Sequence, residues 1–165
     1  MSETPPPPPP PSAPPPGLSA PNPGSYASWG QRVIAYIIDY IPAAILGGIG
    51  YGIMFAGTSP DTGTSGGAAL FSTIFFLLAF IYWLWNRVFK MGKTGSSIGM
   101  GVAGTKAVKE ATGEPLGAGL NFLRQILLGV DFWICYIGVL WPLWDSKRQC
   151  LISDKATGAV VLPTK

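Results

Sequence analysis

Two carboxylates stand inside stretches of sequence that carry almost no other charge: Asp39 within Val33–Gly57 and Asp131 within Ile126–Trp144. Ionisable groups in long apolar runs are costly to bury, so each is a candidate either for ligand or ion handling or for a charge partnership that ties helices together. Each follows an arginine by seven residues, in Arg32-Val-Ile-Ala-Tyr-Ile-Ile-Asp39 and in Arg124-Gln-Ile-Leu-Leu-Gly-Val-Asp131. On a helix that spacing is almost two turns, about 10.5 Å of rise, and it puts both side chains on one face. If the two helices enter from the same side, the carboxylates share a depth, and Arg32 can approach Asp131 while Arg124 approaches Asp39. Pro42 adds a polar feature, because it leaves the Ile38 carbonyl beside Asp39 without its helical N–H. Such an oxygen cluster suits a proton or a hard cation where water reaches it. The plainer alternative is that the same charges only hold helices together.

The elements that position these groups follow from composition. Of 165 residues, 48% are apolar and 12% charged, which is far from an ordinary soluble surface. Near-apolar runs at about 33–57, 68–89 and 126–144 each approach the ~20 residues a helix needs to cross a ~30 Å hydrocarbon core. An all-α integral membrane domain over 29–165 is expected, with three transmembrane segments. Gly138 and Pro142 leave the third open to being broken or re-entrant. Within the first, Ala44, Gly48 and Gly52 recur every fourth residue, a spacing that lets helix backbones touch within a chain or between chains.

Residues 1–28 hold the run Pro5–Pro11 and almost no large apolar side chain, so a disordered, extended tail is expected there. No basic segment followed by an apolar stretch and a cleavage site opens the sequence, so the first membrane helix is expected to direct insertion. Arg87, at the end of the second run, and Lys90, Lys93, Lys106, Lys109 and Arg124, between it and the third, are all basic, whereas Thr58–Gly67 carries Asp61 and no basic residue. The basic side and the N-terminus should therefore be cytoplasmic. Residues 145–165 conflict with simple alternation, since they carry Lys147, Arg148, Lys155 and Lys165 yet would fall outside. Thr105–Lys109 reads as a short strand and Thr112-Gly113-Glu114-Pro115 as a turn.

Several chemistries are not expected. Histidine is absent, which removes His-based triads and metal sites, and no nucleophile–base pair or cofactor box is visible, so neither an enzyme nor a metal or cofactor is expected. The formal charge of +3 forms no stripe for nucleic acid. Gly92-Lys93-Thr94 lacks the glycine spacing of a phosphate-binding loop. Cys135 and Cys150 should be free thiols, Cys135 as a small apolar packer.

The sequence also resembles the RDD family of bacterial membrane proteins, particularly its proline-tailed actinobacterial members, over roughly residues 26–163. The resemblance rests on Trp29-x-x-Arg32 leading to Ile38-Asp39, on Gly92-Lys93-Thr94-Gly95-x-Ser97-Ile98-Gly99, and on Phe122-x-Arg124-Gln125 with Asp131. It continues through Leu140-Trp141-Pro142-Leu143-Trp144-Asp145-x-Lys147-Arg148-Gln149 and Asp154-Lys155 ahead of Val160-Val161-Leu162. The arginine and two aspartates of the family's name carry over to Arg32, Asp39 and Asp154. Met100 and Cys150 depart from the usual basic residue and threonine. The resemblance implies a bacterial cytoplasmic-membrane protein for which transport is commonly suggested. Two function classes follow: a small transporter or ion-handling protein, in a homo-oligomer, that uses Arg32, Asp39 and Asp131, or a non-catalytic subunit of a larger membrane complex.

Overall fold

The computed structural model describes residues 26–134 and 136–164. Most of the proline-rich segment and Cys135 therefore lie outside the described residues. The boundary shifts slightly, because Tyr26 packs on Val108 and Val160 and the Ala27 N–H donates to the Val161 carbonyl at 2.9 Å. Ser28 then starts α1 (Trp29–Ala56) with a reciprocal cap, its side chain accepting from the Gln31 N–H while the Gln31 side chain accepts from its own. A two-strand hairpin, β1 (Thr58–Ser59) and β2 (Gly63–Thr64), turns the chain into α2 (Gly66–Leu84), which Ser65 caps. A π-helical turn (Trp85–Lys90) and α3 (Met91–Thr94) prolong α2. At 28 residues for Trp29–Ala56 and 29 for Gly66–Thr94, both helices are long and apolar enough to cross a bilayer.

The two helices meet closely at Gly50, where a Cβ would stand 2.9 Å from Phe76 and 3.2 Å from the Ser72 carbonyl. Ala44, Gly48 and Gly52 do not make this contact. They lie on the exposed face of α1, with open space where a Cβ would sit on Gly48 and Gly52. Within the chain, then, the four-residue spacing is not the packing seam, because Gly50 falls half a turn away from it.

After α4 (Ile98–Val102) and β3 (Thr105–Lys109), the third apolar segment begins at Ala118, eight residues earlier than the sequence suggests. Its helix, α5 (Ala118–Trp133), ends at the Ile134 cap, and Tyr136 beyond it adopts φ 61°. The continuation, α6 (Ile137–Leu140) with a 3-10 turn through Leu143, leaves at 109°. Both ends of this segment lie at one end of the α1–α2 hairpin: the Gly117 N–H donates to the Gly92 carbonyl, and the Trp29 indole donates to the Val139 carbonyl. The third segment is thus the bent alternative, and its break lies before Gly138 and Pro142. Gly138 instead allows the return, since a Cβ there would sit 2.2 Å from Asp131 Oδ1.

That return removes the conflict over the C-terminal residues. α7 (Ser153–Thr157) packs on α5, and β4 (Ala159–Pro163) pairs antiparallel with β3, Ala107 opposite Val161. Residues 145–163 therefore share one end of the hairpin with the 95–117 segment and the start of α1. Burial runs opposite to a soluble domain. Asn86, Asn121, Asp131 and Asp154 are wholly enclosed, while Phe55 is 84% and Trp133 91% exposed. Long apolar helices with an apolar exterior and a polar interior make this a membrane-embedded protein.

Candidate functional site

Asp39 sits ten residues into α1, facing the turn where α2 becomes π-helical. Its Oδ1 accepts from the Asn86 side chain and the Gly99 N–H, each at 2.7 Å; its Oδ2 accepts from Arg87 Nη1 at 2.9 Å and from the Ser97 hydroxyl at 2.5 Å. Gly99 is required for this, since a Cβ there would lie 2.0 Å from the Ala35 carbonyl oxygen. Ser97 also caps α4, so the short helix is anchored to the carboxylate by its own first turn. Arg87 in turn gives Nε and Nη2 to Gln125 of α5 and lies over the Tyr36 ring at 5.2 Å. Four donors therefore surround Asp39, and the Arg87 guanidinium among them supplies its counter-charge.

A second carboxylate gathers the other two arginines. Asp154, at the start of α7, accepts from Arg32 Nη1 and from Arg124 Nε, both at 2.7 Å, and from the Cys150 N–H at 3.0 Å. Burial pushes its carboxyl up, but the guanidiniums of Arg124 and Arg32 and the Cys150 N–H outweigh that and hold it at about 2. The neighbouring Cys150 thiol is pushed up to about 12, chiefly by burial and then by Asp154. Among the described residues Asp131 makes no arginine pair: its oxygens accept the N–H groups of Ile152 and Ser153, at 3.0 and 2.9 Å, at the opening turn of α7.

The pairings expected from the seven-residue spacing are therefore corrected. Arg32 and Arg124 meet each other across Asp154, and Asp39 pairs with Arg87. The spacing argument assumed two parallel straight helices, whereas α5 bends and brings α7 between them. Arg87 was hidden at the end of an apolar run among flanking cations, and Asn86, Ser97 and Gly99 gave no charge signal; the Gly-rich segment after Gly92 marked the last two only through the family resemblance.

Between these clusters lies a cavity of about 290 Å³. Arg32, Arg87 and Arg124 all line it, together with Trp29, Tyr36 and Phe132, and no carboxylate is among its lining residues. The aspartates stand behind the arginines. Arg32 uses only Nη1 and Arg124 only Nε in hydrogen bonds among the described residues, and Arg32 Nε and Nη2 have no partner there. Three arginines are therefore built into the wall of an otherwise mainly apolar space.

Residues 26–158, which hold all of these groups, match the sequence pattern of the RDD family. The chain belongs to the RDD family. It is 42% identical over 158 residues to "Proline-rich antigen" of Mycobacterium leprae (strain TN), covering 84% of this chain and 61% of that protein. It is 37% identical over 154 residues to "Proline-rich antigen homolog" of Mycobacterium tuberculosis (strain CDC 1551 / Oshkosh), covering 84% of this chain and 64% of that protein. The matched part thus spans about three-fifths of the length of these curated relatives. No solved structure matches the chain. The arginine and aspartates that carry over from the RDD name, Arg32, Asp39 and Asp154, fall in two clusters, with Arg32 and Asp154 in direct contact.

Proposed function

We propose that this RDD protein is a small transporter that binds an anionic ligand in its arginine-lined cavity. The carrying observation is that three arginines and no carboxylate are among the residues lining that space. A guanidinium in a mainly apolar pocket offers rigid, charge-assisted donors suited to an oxyanion. On this reading Asp39 and Asp154 keep the arginines charged and oriented, and Asp131 fixes α7. The protein acts as a non-enzymatic membrane component without a cofactor. It lies in the bacterial cytoplasmic membrane with its N-terminus in the cytoplasm, because Lys90, Lys93, Lys106, Lys109, Lys147 and Lys155 gather at one end of the hairpin and Asp61 lies at the other.

The test is thermal unfolding of the full chain in lipid nanodiscs at constant ionic strength, with phosphate, sulfate or acetate compared with chloride and with sodium, potassium or magnesium. A ligand at 100 times its Kd stabilises by about 2.7 kcal/mol. Oxyanions should raise the melting temperature of the wild type and not of Arg32→Gln. A response to cations alone would return the binding role to the carboxylates.

A second reading, a subunit of a larger assembly or a homo-oligomer, is favoured by the open Ala44, Gly48 and Gly52 face of α1. Mild-detergent purification separates the two: a heterologous protein in fixed ratio supports the assembly role.

A further inference from the structure

The cavity is built for more than a free ion. Apart from its arginines, its walls are mainly aromatic and aliphatic, including Trp29, Tyr36, Leu128 and Phe132. A tetrahedral oxyanion would occupy the guanidinium end and leave this apolar space unfilled. Tyr136 both lines the cavity and is 63% exposed on the apolar exterior, so the space reaches the surface that lipid covers. Depth agrees. Trp29 opens α1 and Tyr36 lies seven residues, about 10.5 Å, further in, which places the cavity where headgroups give way to acyl chains.

We infer that the ligand is an anionic amphiphile, an oxyanion headgroup carrying an apolar chain, entering from the bilayer past Tyr136. This rests on the anion reading above and names its substrate class. Arg32, whose Nε and Nη2 are buried without a partner among the described residues, and Arg124, whose Nη1 and Nη2 make no hydrogen bond there, take the headgroup oxygens, and the chain lies against Leu128 and Phe132. Asp154 holds both guanidiniums from behind without competing at the cavity face.

Calorimetry on the full chain, delipidated in detergent, decides this with three probes: dihexanoyl phosphatidic acid, dihexanoyl phosphatidylcholine and inorganic phosphate. Phosphatidic acid should bind at least about tenfold more tightly than either of the others. Arg32→Gln should weaken it by about tenfold to a hundredfold, the loss of one or two charge-assisted hydrogen bonds. Leu128→Trp fills the apolar end without touching an arginine. It should weaken phosphatidic acid at least about tenfold and leave phosphate binding unchanged, which keeps the test sound should Arg32→Gln fail to fold. Phosphate binding as tightly as phosphatidic acid overturns the amphiphile and leaves the anion reading standing. Phosphatidylcholine binding as tightly as phosphatidic acid overturns the headgroup recognition. Absence of binding by both phosphatidic acid and phosphate overturns both.

Discussion

At the scale of single residues, a carboxylate with four donors around it behaves as a neutraliser. Asp39→Asn would leave the Arg87 guanidinium buried without its counter-charge, a loss of about 3–5 kcal/mol for breaking such a pair. The variant should accumulate poorly in membranes, and Arg87→Gln in the same chain should restore part of the level, while Arg124→Gln should not; rescue by Arg124→Gln instead would refute the pairing. Asp154 sets a pH window. Its folded-state value of about 2 lies below the ordinary 3.8, so its stabilisation is complete above pH 4 and is lost as pH falls from there through about 2. The loss amounts to roughly 2 kcal/mol. Detergent-solubilised protein should therefore melt at lower temperature between pH 4 and 2, and Asp154→Asn should flatten that part of the profile. Asp39 and Asp131 are conspicuous in the sequence because each interrupts an apolar run. Their partners are not, since hydrogen bonds from Gly99 or Ile152 N–H leave no mark of residue type.

At the scale of elements, the two long helices are legible because hydrophobic length is a sequence property, and β3 is legible from its alternation. The break after Trp133 is not, because no glycine or proline marks it in the sequence, although Tyr136 takes a left-handed φ of 61°. Likewise α4 owes its place to an absence of side chain. Gly99→Ala would drive a methyl into the Ala35 carbonyl, and overpacking of this kind costs about 1–3 kcal/mol. It should lower the melting temperature and expose Asp39 to solvent exchange, whereas Gly101→Ala on the open side of α4 should leave both near wild type. Equal damage from the two would show that α4 is not seated on α1 through Gly99.

For the whole molecule, topology follows from three links between distant segments: the β3–β4 ladder, the Ala27–Val161 hydrogen bond and the Lys147–Glu110 ion pair. All three put the C-terminal residues at the end of the hairpin where α1 starts. A reporter active only in the cytoplasm should work at the C-terminus and in the 110–115 turn alike, and fail near Asp61; activity at one of the first two sites without the other would contradict the ladder. Simple alternation of spans mis-places these residues, as counting assumes that each apolar run crosses. The ladder carries a further consequence for biosynthesis. Arg32 waits for a partner 122 residues later, and at roughly 5–20 residues per second the ribosome needs on the order of ten seconds to supply it. Through that interval the nascent hairpin holds Arg32, and later Arg124, with no Asp154. α7 is the latch, so a chain released after Gln149 would leave the Arg32 and Arg124 guanidiniums without the carboxylate they share.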